Sequence, residues 1–459
     1  MTASDLAGAN SAVIAASNIA LFRESYINVT MTPPYYWAAT SDGTNPPSGP
    51  GMYPDGLIPF VDPETGKPAN GGTIQAVPFS LSAGLNQPIW VDISVPSSAA
   101  AGTYTGTVTI DSDQGTASVP VTLQVWNFTL PVVPSFKSSI QATSAANQTL
   151  YMSHELLRNR LSPDWEEGSN EQTLITQWGL NATNLWFGTG LDISNCANAT
   201  MSPAPSVAQF QAAVAQHQNN ILLYNFTADE IGACTQLFPG LIQWAANMHQ
   251  AAVDNLVTVQ PVPALENDGT GTGRSAVDIW TVLPLQWDNA QTATGEMTKV
   301  LNKGDSVWSY NVLVQDGYSP KMEINFDLLD YRIAVGFISQ SLGITGFQQW
   351  SVDQWTSDPW NVMTVLNGVP SDGLLVYPGP YVGLAGVAPS MRLKCLREGV
   401  NDFEYVQILK GLGQGTWALQ QAATVGQDWH TWTRTPADIE AVRITLGNEI
   451  NQLSTGQGP

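Results

Sequence analysis

Basic residues are scarce in this chain. Sixteen Lys and Arg stand against 38 Asp and Glu among 459 residues, a formal net charge of −22. A polyanion of this kind lacks the positive footprint that a phosphate backbone requires, which excludes nucleic acid as a partner. An anionic membrane surface is excluded on the same ground. Cysteine and histidine are also rare, with three and four residues. No Cys-x-x-Cys and no His/Cys cluster occurs, so no metal site is expected. No segment offers the roughly 18 uninterrupted apolar residues of a transmembrane helix. No basic stretch precedes an apolar run at the N-terminus, so no signal peptide is read in this chain. Neither a Ser-centred nucleophile elbow nor a phosphate-cradling Gly loop is present, and no cofactor is expected.

What the chain does have is apolar bulk. Hydrophobic residues make up 43% of it, with 16 Trp. That is too much for a disordered acidic tail. At roughly 150 residues per domain, the length suggests two or three domains. Abundant Asn, Thr and Gly with little Lys fit an extracytoplasmic protein, secreted or periplasmic. Asn-x-Thr sequons occur at Asn28, Asn127, Asn147, Asn181, Asn198 and Asn225. They are read as chance matches in an Asn/Thr-rich chain. Cys196 and Cys234 each follow a predicted strand end, so they either meet in a disulfide or remain two buried thiols. Cys395 lies on a helical pattern and is read as a core thiol.

Residues 1–135 read as β. Segments 87–96, 102–110 and 117–126 alternate β-branched and other residues between Gly, Pro and Asp clusters, which marks antiparallel strands of a sandwich. Ile19 to Thr30 alternates in the same way. Residues 38–75 are rich in Pro and Gly and read as long loops. The run Leu130-Pro131-Val132-Val133-Pro134 punctuates the chain. Beyond it strand-like and helix-like segments alternate, as in a parallel sheet with crossover helices. Strands are expected at 136–143, 183–187, 221–227, 256–262, 277–283, 306–313 and 344–350. Helices are expected at 148–160, 171–179, 206–218, 236–253, 286–302 and 325–342. A closed barrel needs eight strands. The gap falls between the first two helices, so one early strand is read as degenerate and 221–227 as the fourth. The tail is helical, with Ser390–Leu412 broken by Gly399 and a second helix over 436–453. The fold class is therefore an N-terminal antiparallel β-sandwich (1–135) and a (β/α)8-type barrel (136–388). A C-terminal helical segment (389–459) packs on the barrel.

The strand at 221–227 ends in two adjacent carboxylates, Asp229 and Glu230. Barrel active sites lie at the C-terminal ends of strands. Glycoside hydrolysis needs a proton donor for the leaving oxygen and a group that stabilises the oxocarbenium-like centre. Adjacent carboxylates oppose each other's ionisation, which helps keep one protonated. A solvated loop or a helix cap would read the same from position alone.

Several blocks carry a resemblance. They are Trp90–Pro96 followed by Gly102-Thr103-Tyr104-Thr105-Gly106, the ending Val125–Pro131, and Arg392–Tyr405, together with Asp229-Glu230. They resemble glycoside hydrolase family 123 and its wider relatives, which carry the domain of unknown function numbered 4091. The resemblance runs from about Ile19 to Leu412, and its C-terminal block is the most specific part. It implies a β-N-acetylgalactosaminidase with a barrel behind a β-sandwich, acting on a terminal β-linked N-acetylhexosamine of an oligosaccharide or glycoconjugate. It implies substrate-assisted, retaining catalysis, with Glu230 as acid then base and Asp229 orienting the acetamido nitrogen. The chain departs from relatives that continue the pair with Pro, having Ile231-Gly232 instead.

Aromatic residues supply the substrate-binding candidates. Trp308 and Tyr310 alternate on one strand and so face the same side. Tyr310 is placed to meet an acetamido oxygen and Trp308 to wall the sugar. Trp350 ends the last strand and Tyr377 lies in a following loop. Trp186 and Trp280 lie in strands. For each of these aromatics, ordinary core packing is the competing reading. Asp316, Glu323, Asp353 and Asp358 compete as a second carboxylate in a two-acid mechanism on a sugar without the acetamido group. Each also fits a loop or capping role. Arg160, Arg392, Arg397, Asp402 and Glu404 are read as structural ion pairs, and the four His as structural or surface residues. A carbohydrate-binding protein on a degenerate barrel remains the non-catalytic alternative.

Overall fold

The computed structural model describes residues 1–34, 44–165, 167–311 and 313–454. Part of the loop expectation at 38–75 (38–43) and Val312 of the strand expected at 306–313 lie outside the described residues.

The N-terminal region forms two antiparallel sheets. One contains β1 (Ile19–Val29), β2 (Gly51–Pro59) and β3 (Ile89–Ile93), in the order β2-β1-β3. The other pairs the long hairpin β4 (Gly102–Ser112) and β5 (Gly115–Val125), and β4 also accepts the short N-terminal strands Thr2–Ala3 and Leu6–Ala7. Pro120 is tolerated because β5 pairs only with β4 and so lies at an edge. Ile19 and Leu21 of one sheet bury against Tyr104, Val108 and Val125 of the other. The register shifts between Ser25 and Tyr26, where Asp55 of β2 is the extra residue. Beyond this point Ile27 and Val29 pack toward the second domain, against Trp360 and Tyr377.

The loop expectation for 38–75 is corrected by β2, whose composition hides it. Pro54 sits at the register shift opposite Tyr26. Gly56 lies under an indole, where a Cβ would stand 2.7 Å from a ring carbon of Trp360.

The second domain is a nearly closed parallel sheet of seven strands. They are β6 (Lys137–Ile140), β7 (Ala182–Asn184), β8 (Leu222–Ala228), β9 (Asp254–Thr258), β10 (Ile279–Val282), β11 (Ser306–Tyr310) and β12 (Gly346–Gln349). Their order is β7-β8-β9-β10-β11-β12-β6. All seven expected strands form. The degenerate one is visible as Leu161-Ser162-Pro163-Asp164. It makes one parallel bridge, Ile140 to Pro163, with bonds from Ile140 N to Ser162 O (3.1 Å) and from Asp164 N to Ile140 O (2.9 Å). Pro163 has no N–H and cannot extend the ladder. Ser162 finishes the link through its side chain, accepting from Asn181 N at 3.1 Å. Counted with this segment, β8 is the fourth strand of the barrel.

Tyr224, Leu256, Ile279 and Trp308 fill the lumen. Gly346 makes this possible: a Cβ there would stand 2.6 Å from Trp308 ring atoms on the neighbouring strand. The outer face packs against helices such as Leu150–Arg158, Phe238–His249 and Glu296–Lys303. The helix expected at 286–302 splits at Gly295, which adopts φ +69°.

The helix expected to break at Gly399 instead runs unbroken from Met391 to Gly411. Gly399 is there for close packing, since a Cβ would lie 2.3 Å from Val335 Cγ2. This helix follows β12 and packs against the helical segment 328–342, as a closing crossover helix does. A further helix, Gly415–Ala423, had no clear signal in the sequence. Arg392 clamps Asp55 of β2 through Nε and Nη2, both at 2.9 Å, and Arg397 holds both oxygens of Asp92 of β3 at 2.7 Å. Asp402 takes Arg443 and Arg332. Two of the expected ion pairs are corrected. Arg160 donates to the Pro131 carbonyl, and Glu404 accepts from Ser135 N and Oγ.

Candidate active site

Strand β8 delivers Asp229 and Glu230 to the C-terminal mouth of the barrel, where both are solvent-accessible. The chain turns sharply there: Glu230 has φ +50°. A non-glycine residue in that region carries strain, of order 1–3 kcal/mol, that the surroundings must hold. Thr258, at the end of β9, holds it. Its Oγ1 accepts from Glu230 N at 2.6 Å and donates to Asp229 Oδ1 at 2.6 Å. One hydroxyl thereby fixes the backbone of one acid and the side chain of the other.

Tyr310, at the end of β11, donates its hydroxyl to Glu230 Oε1 at 2.9 Å. Strands β9 and β10 lie between β8 and β11, so this bond is a chord across the mouth. Much of Glu230 is open to solvent, yet its carboxyl end is partly desolvated beside Tyr310. That desolvation raises its pKa. The Tyr310 hydrogen bond opposes the rise and the charge of Asp229 adds to it, leaving the pKa above the ordinary value. Tyr310 itself is held well above the ordinary phenol range by burial and by the two acids, with Gln286 alongside. A carboxyl held toward its protonated form at a barrel mouth, next to a second fixed carboxylate, can deliver a proton to a leaving oxygen.

The other expected residues separate. Trp186, just past β7, is half-exposed (50%) and also has positive φ, +52°. Its backbone N donates to Asn184 Oδ1 at 3.1 Å and its indole N–H to the Asp164 carbonyl, so the ring stands anchored at the rim. Trp350 is half-buried beyond β12 and donates to Asp372 Oδ1 at 2.9 Å. Trp308 shares the lumen side with Tyr310 but is fully buried one layer deeper, 5.7 Å edge-on from Tyr224. It is a floor with no face left for a sugar. Trp280 is a correction: it lies outside the barrel, among Met297 and Val300, and donates to Asp305 Oδ2 at 2.9 Å. Tyr377 is another. It is buried between the domains and bonds Asp55 at 2.6 Å.

The competing acids have other partners. Asp316 pairs with Lys321 at 2.7 Å, Asp353 accepts from Thr143 N at 2.8 Å, and Asp358 bonds Asn361 at 2.8 Å. Glu323 is fully buried and held far toward its neutral form, mainly by desolvation. Each His meets a carboxylate: His154 Glu64, His217 Glu171, His249 Asp268 and Asp278, His430 Asp288. Among the described residues no group of His, Cys, Asp or Glu is arranged to hold a metal, and no helix is long and apolar enough to cross a membrane.

Cys196 and Cys234 form a disulfide with Cα atoms 4.5 Å apart. It ties the loop after β7 to the loop that begins at Asp229. Burial pushes the Cys395 thiol up to about 12. Asn181 and Asn225 are buried and hydrogen-bonded, so these two sequons cannot carry a glycan in the folded chain.

Two residues at or near the site escaped sequence reasoning. Thr258 is an ordinary strand residue until its neighbour is known. Asp164 was hidden in the degenerate strand. It is fully buried, accepts from the Tyr224 hydroxyl, and is pushed up to about 7, chiefly by desolvation.

Comparisons with known proteins agree with this architecture. Residues 1–112 match the family model described as the glycoside hydrolase 123 N-terminal domain, and residues 281–409 match that of the glycoside hydrolase 123 catalytic domain. The catalytic match begins after Glu230, so the roles of Asp229 and Glu230 rest on geometry. No curated protein matches the chain. Among solved structures, a family 123 glycoside hydrolase from Clostridium perfringens, studied for glycolipid glycan hydrolysis, aligns with a TM-score of 0.63 at 12% identity. The alignment covers 99% of this chain and 88% of that one. A β-glucuronidase from Parabacteroides merdae aligns at a TM-score of 0.32 and 9% identity, over 86% of this chain and 49% of that one, too low to bear on the fold. Matched in both its N-terminal and its catalytic domain, the chain belongs to glycoside hydrolase family 123.

Proposed function

We propose that this glycoside hydrolase is exo-acting and retaining, removing a terminal β-linked N-acetylhexosamine, with N-acetylgalactosamine favoured. The observation that carries the reading is the triad of contacts at the mouth, in which Thr258 fixes the Asp229 carboxylate and the Glu230 backbone and Tyr310 holds the Glu230 side chain. In the first step the acetamido oxygen of the substrate attacks the anomeric carbon. The glycosidic bond breaks, and the leaving oxygen takes the proton of Glu230. The product of that step is an oxazolinium-type intermediate. In the second step water attacks the anomeric carbon, the ring of the intermediate opens, and Glu230 recovers a proton from the water. Asp229 accepts the acetamido N–H and keeps the nucleophilic oxygen aimed. Trp186 provides an aromatic plate at the rim.

The engagement of Asp316, Asp353 and Asp358 elsewhere supports a nucleophile supplied by the substrate. The relative from Clostridium perfringens is described for glycolipid glycan hydrolysis, and a glycoconjugate substrate is proposed for this chain as well. The Cys196–Cys234 disulfide supports an oxidising compartment, secreted or periplasmic. The test is an inhibitor that mimics the oxazoline. It should compete with an aryl β-N-acetylgalactosaminide. Cleavage of aryl glycosides lacking the acetamido group, indifferent to this inhibitor, would overturn the reading.

A further inference from the structure

Beside the Glu230–Tyr310 chord lies a row of polar side chains with no assigned task. The ladder places them. Tyr310 is the Cα partner of Gln348 on β12, and Gln348 is the partner of Ser139 on β6. Asn184 on β7 is the partner of Tyr224, whose hydroxyl meets Asp164 in the gap between β6 and β7. Partners in a ladder share a sheet face. Tyr224 lies in the lumen. Tyr310 lies two residues beyond lumenal Trp308, so it faces the lumen too. Gln348, Ser139, Asp164 and Asn184 therefore form one continuous arc inside the barrel, beginning beside the acid's own partner. The arc spans β12, β6, the degenerate strand and β7. The Tyr310 chord passes over the other side, above β9 and β10. Arc and chord thus face each other across the mouth.

The arc is closed to solvent in this structure, and one polar atom of each of its side chains is left without a well-formed hydrogen bond. Asp164 Oδ2, Gln348 Oε1, Asn184 Nδ2, Ser139 Oγ and the adjoining Gln141 Nε2 make no hydrogen bond of ordinary geometry among the described residues, although Ser139, Asn184 and Gln141 gather around the Asp164 carboxyl and favour its charged form. A buried polar atom left in that state is destabilising, and such atoms are rare in folded proteins. Five on one side of one barrel is a concentration. Their chemistry is mixed: a carboxylate and an amide oxygen accept, two amide nitrogens donate, and the serine does both. Vicinal sugar hydroxyls, each a donor and an acceptor, match such a set.

We propose that Asp164, flanked by Ser139, Asn184 and Gln348, is the specificity-determining wall that hydrogen-bonds the ring hydroxyls of the terminal sugar, facing Glu230. This rests on the proposed function, with a sugar ring seated between chord and arc. The wall selects on hydroxyl configuration, while the chord side performs the proton transfer. Asp164 is a binding residue with no part in the bond exchange.

The test is a cycle between protein and substrate. The parent aryl glycoside and analogues lacking one ring hydroxyl are compared on the wild type and on Asp164→Asn. Deleting the hydroxyl that Asp164 reads should cost the wild type at least tenfold in kcat/KM. Asp164→Asn should already lose that factor on the parent and less than threefold more on that analogue. The pH limb belonging to Glu230 should not move. Equal losses on the parent and on every analogue would overturn the proposal, since a merely structural role would produce them. If Asp164→Asn does not fold, Ser139→Ala and Gln348→Ala carry the same cycle. If the wild type cleaves no aryl glycoside, the proposed function fails, and the wall is tested alone by calorimetric titration with methyl β-glycosides of N-acetylgalactosamine, galactose and glucose. Binding weakened tenfold by Asp164→Asn and little by Glu230→Gln supports the wall, and no binding by the wild type overturns it.

Discussion

Replacing Glu230 with Gln removes a proton and little else. The amide oxygen can still accept from Tyr310, and the backbone bond to Thr258 does not involve the side chain. Stability should therefore change by less than about 1 kcal/mol, as for surface substitutions that spare packing. Activity should not be spared. Positioned acid–base groups contribute roughly 100- to 10,000-fold, which is about 3–5 kcal/mol of activation free energy. The assay is kcat/KM on two aryl β-N-acetylgalactosaminides, one with a good and one with a poor leaving group. A good leaving group needs less protonation, so its loss in the glycosylation step should be the smaller of the two. The pH profile gives a second readout. Glu230 works protonated and its pKa is raised above the ordinary carboxylate value. Activity of the wild type should thus persist above that value and fall as pH rises through the raised pKa. Glu230→Gln should lose that limb. Full retention of activity on the poor leaving group, or an unaltered alkaline limb, would refute the assignment.

Other perturbations follow from the same geometry. Tyr310→Phe deletes the hydrogen bond that lowers the Glu230 pKa, so the alkaline limb should move to higher pH, with a loss of about tenfold or more in kcat expected from an untethered acid. A shift to lower pH would contradict the stated electrostatics. Replacing Cys196 and Cys234 together with Ser opens a loop of sequence separation 38. Chain-entropy reasoning puts the cost at roughly 4 kcal/mol, read by urea denaturation against the oxidised wild type. Gly346→Ala places a Cβ against the Trp308 ring. Overpacking there should cost about 1–3 kcal/mol, measured in the same way, and a neutral result would show that the lumen is looser than its packing implies.

Much of this molecule is legible in its sequence. The barrel strands announce themselves as apolar runs between helices, and Asp229 and Glu230 stand out because acids at a strand's C-terminal end are out of place in a core. Depth is not legible. Trp280 and Trp308 both lie in strands buried on two faces, where apolar runs continue without alternation, so nothing local says that one faces the lumen and the other the helices. Tyr377 misleads for a similar reason, since its partner Asp55 lies in the other domain. Strand β2 is masked by Pro54 and Gly56, which only its neighbours Tyr26 and Trp360 explain. Thr258 and Asp164 act through contacts with residues 28 or more positions away. A pattern search along the chain has no access to such pairs.

The central claim is a proton donor at Glu230 working with a nucleophile carried by the substrate. It is tested most directly by nuclear magnetic resonance of the first-formed sugar during hydrolysis of an aryl β-N-acetylgalactosaminide. Two displacements at the anomeric carbon should release the β anomer first, with the α anomer appearing only by mutarotation. Initial release of the α anomer would mean a single displacement by water and would contradict the account.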